Sequence, residues 1–129
     1  MKKIDNILLI IFHLINVILI TLYLYPGSIL GFIVHNDLNR QPQISKDFIV
    51  SSNHFFVFIF ISSIGILAYR NSKNINILIN YLLSASIILE LAHFIIPKRG
   101  FELKDLLGNI LGTILIIGVY KFLKRYGKN

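Results

Sequence analysis

ILLIIFHLINVILITLYLYPG, residues 7–27, is the stretch on which the fold turns. From Ile7 to Tyr25 it contains no charged residue, and Pro26-Gly27 ends it. About 20 helical residues cross a hydrocarbon core, so this run predicts a membrane-spanning helix. Three more such runs follow. The second ends at Tyr69 and starts between Phe48 and His54, the third covers Ile75 to Ile96 and stops before Pro97, and the fourth covers Leu103 to Leu123. Their many β-branched residues do not argue against helix, because in lipid every backbone hydrogen bond must close within the segment or within a closed barrel. No alternation of polar and apolar residues supports a barrel. The expected fold class is an all-α membrane protein: one domain, residues 1–129, with four transmembrane helices (about 7–25, 48–69, 75–96 and 103–123) in an antiparallel bundle.

Composition points the same way. Of 129 residues, 55% are hydrophobic and 15% charged, with mean hydropathy +0.72. Soluble domains carry roughly 25% charged residues, and a globule this small keeps too much outside surface to hide so many apolar side chains. The chain has no cysteine, which excludes disulfides, thiolate nucleophiles and thiolate zinc sites. The formal charge of +7 does not point to nucleic acid, because the basic residues sit at the ends of apolar runs, as flanks of membrane helices do.

Those flanks also orient the chain. Lys2 and Lys3 precede the first run, Arg70 and Lys73 fill the turn after the second, and Lys121, Lys124, Arg125 and Lys128 crowd the end. With four crossings these share one side. Arg40, Lys46, Lys98, Arg99 and Lys104 fall on the other, nearly balanced by Asp37, Asp47, Glu102 and Asp105. The bias predicts both termini in the cytoplasm. The first run is longer than a usual signal-peptide core and no small-x-small cleavage site follows it, so an uncleaved helix is expected. The first outer loop opens with SILGFIV (28–34), suited to the interface, and continues as HNDLNRQPQISKD (35–47), expected to be solvated.

Polar groups inside a membrane are costly and each is a functional candidate. Glu90 and His93 are three apart and share a helical face; Asp105, Asn109 and Gly112 share another. At about 1.5 Å per residue, Glu90 lies about 10 Å and Asn109 about 9 Å below the outer ends of their helices. If the second helix begins near Phe48, His54 falls at a similar depth, and His54, Glu90, His93, Asp105 and Asn109 are then expected to line one outward-facing pocket. Gly108 and Gly112 form a small-xxx-small pair, which usually means close helix packing. His13 and Asn16 read as interhelical hydrogen-bond partners, Ser62, Ser63, Asn80, Ser84 and Ser86 as packing or internal hydrogen bonding. Tyr23, Tyr25, Tyr69 and Tyr120 read as interface anchors. Arg99, just past Pro97, offers a planar donor fork for phosphate or carboxylate; anchoring to lipid headgroups explains it equally well.

ELAHFIIPKRGFELKDLLGNILGTIL, residues 90–115, resembles the C-terminal half of VanZ-like membrane proteins. Glu90, His93, Pro97, Arg99, Asp105, Asn109 and Gly112 take that pattern's places with its spacing. HFFVFIFISSIGI, residues 54–66, is similar to the family's earlier helix, with His54, Phe55 and Phe58 in its motif positions. The family often has Asp-Lys four and three residues before that histidine; here those places hold Val50 and Ser51, and Lys46 and Asp47 are the nearby charges. The resemblance covers roughly Ser52 to Lys121. It implies a multi-pass protein of the bacterial cytoplasmic membrane with a role in the cell envelope, named for a link to teicoplanin (glycopeptide) resistance, and it implies no reaction.

Three functions compete. The first is a non-enzymatic binder of an envelope lipid or a lipid-linked peptidoglycan precursor that alters glycopeptide susceptibility; Arg99 meets an anionic headgroup there, and Glu90, His93, Asp105 and Asn109 its polar part. The second is an intramembrane enzyme on a lipid-linked substrate with Glu90 or His93 as general acid/base. The third is a packing partner with no ligand. No cofactor and no metal are expected: His54, Glu90, His93 and Asp105 are suitable ligand types, but the fourth run supplies no histidine. Membrane lipids are the expected partners, and the oligomeric state is not legible.

Overall fold

The computed structural model describes residues 3–127, with side chains from Asn6 onward; Lys2, Lys128 and the Lys3 side chain lie outside the described residues. Among those residues there is helix and no strand. Five helices follow one another: α1 (Lys3–Leu24), α2 (Ile29–His35), α3 (Ser52–Tyr69), α4 (Ile75–Leu91) and α5 (Leu103–Tyr126). All but α2 are long and apolar enough to cross a membrane. Their outer faces carry Ile10, Leu14 and Val17 of α1, Phe60 of α3, Ile77 and Ile88 of α4, and Ile114 and Leu115 of α5. Apolar surface on this scale marks contact with something other than water.

The boundaries depart from the sequence reading where side chains intervene. The second run becomes helical only at Ser52, because the Asp47 carboxylate accepts the Ser52 N–H at 3.1 Å and satisfies one of the donors every helix start leaves free. Residues 48–50 stay outside the helix, with Val50 buried beneath. Asp47 is therefore a cap for α3. The third run leaves α-helix at Leu91 and continues as a 3₁₀ turn, Ala92–Phe94; Pro97 has no N–H to bond the His93 carbonyl four residues back and its ring would clash there, so an α-helix cannot run on through it. Phe94 and Phe101 stack across this connection at 4.5 Å. The fourth run extends to Tyr126.

SILGFIV folds into α2, which the sequence left without secondary structure. The Ser28 hydroxyl accepts the Gly31 N–H at 2.9 Å at its start, and Asn36 closes it in the left-handed conformation. Phe32, Ile33 and Val34 face outward. The following segment is largely exposed but tethered to α3: Asn53 donates to the Pro42 carbonyl and accepts from the Ile44 N–H, both at 2.7 Å.

The core is built around Phe12, Phe58, Ile61 and Leu82. Phe12 lies flat enough on α3 that a Cβ at Gly65 would stand 2.8 Å from its ring. At Gly112 a Cβ would fall 2.5 Å from the Phe55 carbonyl oxygen, and at Gly108 2.9 Å from that of Ser51; α5 rests directly on the α3 backbone. His13 meets the Tyr69 hydroxyl at 3.2 Å and Asn16 accepts from Tyr81 at 2.7 Å, both between helices. Ser63 and Ser86 bond carbonyls of their own helices, whereas Asn80 and Ser84 lie on the outer face.

Candidate functional site

The last turn of α1, the starts of α3 and α5 and the end of α4 meet in one polar cluster. The face of α1 that carries Phe12, Asn16, Leu19 and Tyr23 turns inward, at the three-, four- and seven-residue spacings of one helical face. It delivers the Tyr23 hydroxyl to α3 and α5. That hydroxyl donates to Asn109 Oδ1 at 2.9 Å and stands 2.9 Å from His54 Nδ1, and His54 Nδ1 is 3.0 Å from the same Asn109 oxygen. With the tyrosine proton committed to Asn109, His54 must supply the N–H of its own contact. Its other nitrogen, Nε2, faces Asp105 Oδ2 at 3.2 Å.

His93 is fixed the same way. Its Nε2 is 3.1 Å from the Tyr23 carbonyl oxygen, which can only accept, so Nε2 carries hydrogen. Nδ1 then faces Glu90 Oε1 at 3.2 Å, and one proton lies between them. Glu90 Oε1 also accepts the Glu102 N–H at 3.2 Å. Its second oxygen, Oε2, is 3.7 Å from His54 Nδ1 and has no hydrogen-bond partner, although Glu90 is fully buried. Asn109 Nδ2 is equally bare. Buried polar atoms are nearly always paired, and two orphans in one cluster are unusual. The His93 ring stacks on Tyr23, centroids 5.6 Å apart.

Arg99 turns toward the end of α1. Its guanidinium donates to the Leu22 carbonyl at 2.7 Å and the Tyr25 carbonyl at 3.3 Å. Together with His93 on the Tyr23 carbonyl, it satisfies acceptors that the end of a helix leaves free, at the pole where positive charge is favoured. Burial lowers the Arg99 pKa from its ordinary value, while the Glu90 and Asp105 carboxylates act in the opposite sense. Its fork is thus partly engaged, which the sequence did not anticipate. Pro97 is exposed, and the turn behind it closes through the Arg99 N–H on the Ile96 carbonyl at 3.3 Å.

Two cavities open beside the cluster. One, about 260 Å³, is mostly apolar, walled by Leu19, Leu22, Ile29, Leu30 and Val57, and reaches Tyr23 and His54. The other, about 270 Å³, is polar and reaches Lys98, Glu102 and Asp105. Ser28, Gln41, His93 and Arg99 line both.

No family model matches the chain, and neither a curated protein nor a solved structure matches it. What the site can do therefore rests on its own chemistry.

His54, Glu90, His93, Asp105 and Asn109 come together, and Arg99 stands at the edge. Tyr23 joins them from the position that the sequence assigned to an interface anchor. The signal was present: Tyr23 is seven residues from Asn16, two turns along the same face. Ser28 and Gln41 had no such signal, since loop geometry alone brings them to the cavities.

Proposed function

We propose that the chain is a multi-pass protein of the bacterial cytoplasmic membrane that binds an anionic amphiphile, with the headgroup in the polar cavity against Lys98 and Arg99 and the hydrocarbon chain in the apolar one. The observation that carries this reading is the pair of cavities, opposite in character and sharing a wall of Ser28, Gln41, His93 and Arg99. Concave, mainly apolar pockets with a few placed polar groups are the usual form of a ligand site. The membrane-spanning arrangement is supported by four helices of sufficient length and apolarity, and the antiparallel course of α1 and α3 by the pairing of Tyr23 with His54 at one level and of His13 with Tyr69 at another. The basic flanks support cytoplasmic termini, which leaves the cluster facing outside. The resemblance to VanZ-like proteins suggests the occupant, an envelope lipid or a lipid-linked peptidoglycan precursor, and glycopeptide susceptibility as the phenotype.

One observation favours the second reading, an intramembrane enzyme. The proton between Glu90 Oε1 and His93 Nδ1 belongs to a residue that lines both cavities, where a general acid/base is required to be.

The binding reading is tested by native mass spectrometry of the protein in mild detergent. A retained anionic lipid is expected, and Lys98→Gln with Arg99→Gln should lower retention about tenfold, equivalent to about 1.4 kcal/mol. In cells, Glu90→Gln and Asp105→Asn should each abolish a teicoplanin-susceptibility phenotype at unchanged protein level. The double variant should be no worse, because groups that act together lose function non-additively. A protein that releases all lipid, and single variants that behave like the parent, would overturn the reading.

A further inference from the structure

We infer that His54, Glu90 and Asp105 form a site for one divalent cation of the zinc or manganese class. Each comes from a different helix, α3, α4 and α5, and each offers a ligand atom such that all three lie within 4.8 Å of one another. Bond lengths of about 2.0–2.2 Å around a tetrahedral ion place ligand atoms roughly 3–3.6 Å apart, so a small contraction closes the site.

Among the described residues, the two carboxylates lack a close lysine or arginine partner; Glu90 and Asp105 have only His54 and His93 within ion-pairing distance. Carboxylates in such surroundings are costly unless paired. Independently of the cluster's composition, Glu90 Oε2 is fully buried, lies on the His54 side and has no hydrogen-bond partner. A cation there would meet a carboxylate oxygen to which the protein offers no donor. The surroundings of His54 agree. Its Nδ1 is engaged by Asn109 Oδ1 and the Tyr23 hydroxyl, so Nε2 is left as the ligand atom, and an oxygen acceptor on the second ring nitrogen is what holds metal-binding imidazoles in orientation.

The ligand set selects the ion. Two carboxylates and an imidazole suit zinc, manganese and iron(II) better than thiophilic metals. Three protein ligands leave a coordination position open, as in catalytic zinc sites, and Asp105 lines the polar cavity, from which that position is reached. No metal was expected from the sequence, because the fourth run supplies no histidine; in the structure the carboxylate of Asp105 stands beside His54 and Glu90 from that helix.

The test uses cobalt(II) as a visible probe and zinc(II) as a competitor, added to chelator-treated full-length protein in detergent without added lipid. Lipid retention is read separately, so the two inferences fail separately. Saturable binding of one equivalent of cobalt(II) is expected, displaced by zinc(II), with a rise in melting temperature. His54→Gln and Asp105→Asn should each weaken binding at least tenfold, and Asn109→Ala should weaken it about 10- to 100-fold by loosening the imidazole. His13→Gln, on the far stretch of α1, should bind like the parent. Circular dichroism confirms that each variant is helical before it is scored. A folded parent without saturable cobalt(II) binding overturns the site. So does unchanged affinity in folded His54→Gln and Asp105→Asn, or an equal loss in His13→Gln.

Discussion

Tyr23 and Asn109, 86 positions apart, are joined by a hydrogen bond of 2.9 Å between two buried side chains. This bond ties the first long helix to the last, at the level where His54 and Glu90 enter the cluster. The end of α1 is thereby part of the site.

Tyr23→Phe tests that link. The ring, its stacking on His93 and the 3.0 Å contact between His54 and Asn109 all persist, and one hydroxyl is lost. The expected cost is about 1 kcal/mol, a fall of a few degrees in melting temperature. An unchanged thermal melt in detergent means that the hydroxyl is solvated and does not join the helices.

Gly112→Leu tests the approach of α5 to α3. Even a Cβ there would stand 2.5 Å from the Phe55 carbonyl oxygen and 3.1 Å from the Ile59 nitrogen. Backbone cannot swing aside as a side chain can, so overpacking should cost about 1–3 kcal/mol or more. Gly118→Ala is the matched control. Nothing lies within 4 Å of its Cβ position, and a helical glycine replaced by alanine should gain up to about 1 kcal/mol. Equal melting temperatures for the two variants would show that the contact at Gly112 is not close.

The orientation is tested by single cysteines, which the parent chain lacks. Cysteines placed between Arg40 and Lys46, or at Gly100, should react with an impermeant maleimide on intact cells. One at Ser72, in the turn between α3 and α4, should react only after lysis. The reverse pattern places both termini outside and turns the cluster toward the cytoplasm.

The four long helices were legible because membrane-length apolar runs, bounded by proline, glycine and basic residues, have few other structures open to them. The pairing of Glu90 with His93 was legible for the same kind of reason, since three residues on a helix fix a shared face. The position of Gly112 could be read as a contact, but not its partner, because a small residue announces that something approaches and not what. Asp47 as the cap of α3, α2 within the connection from α1 to α3, and Arg99 on the carbonyls of α1 were not legible. Each depends on where a loop lays a polar group relative to a free helix end, and loops carry no periodicity that records it.

Local chemistry along the chain determined which segments are helical and which residues are too polar for their depth. Tertiary structure alone decided which of those polar residues face one another. It turned Tyr23 inward to His54 and Asn109, and it left Glu90 Oε2 and Asn109 Nδ2 without partners. The physical reason is that hydrophobic runs specify length and burial without direction. The rotation of each helix about its axis is set by close contacts such as Gly112 on Phe55 and Gly65 on Phe12, made between residues that are far apart in the chain.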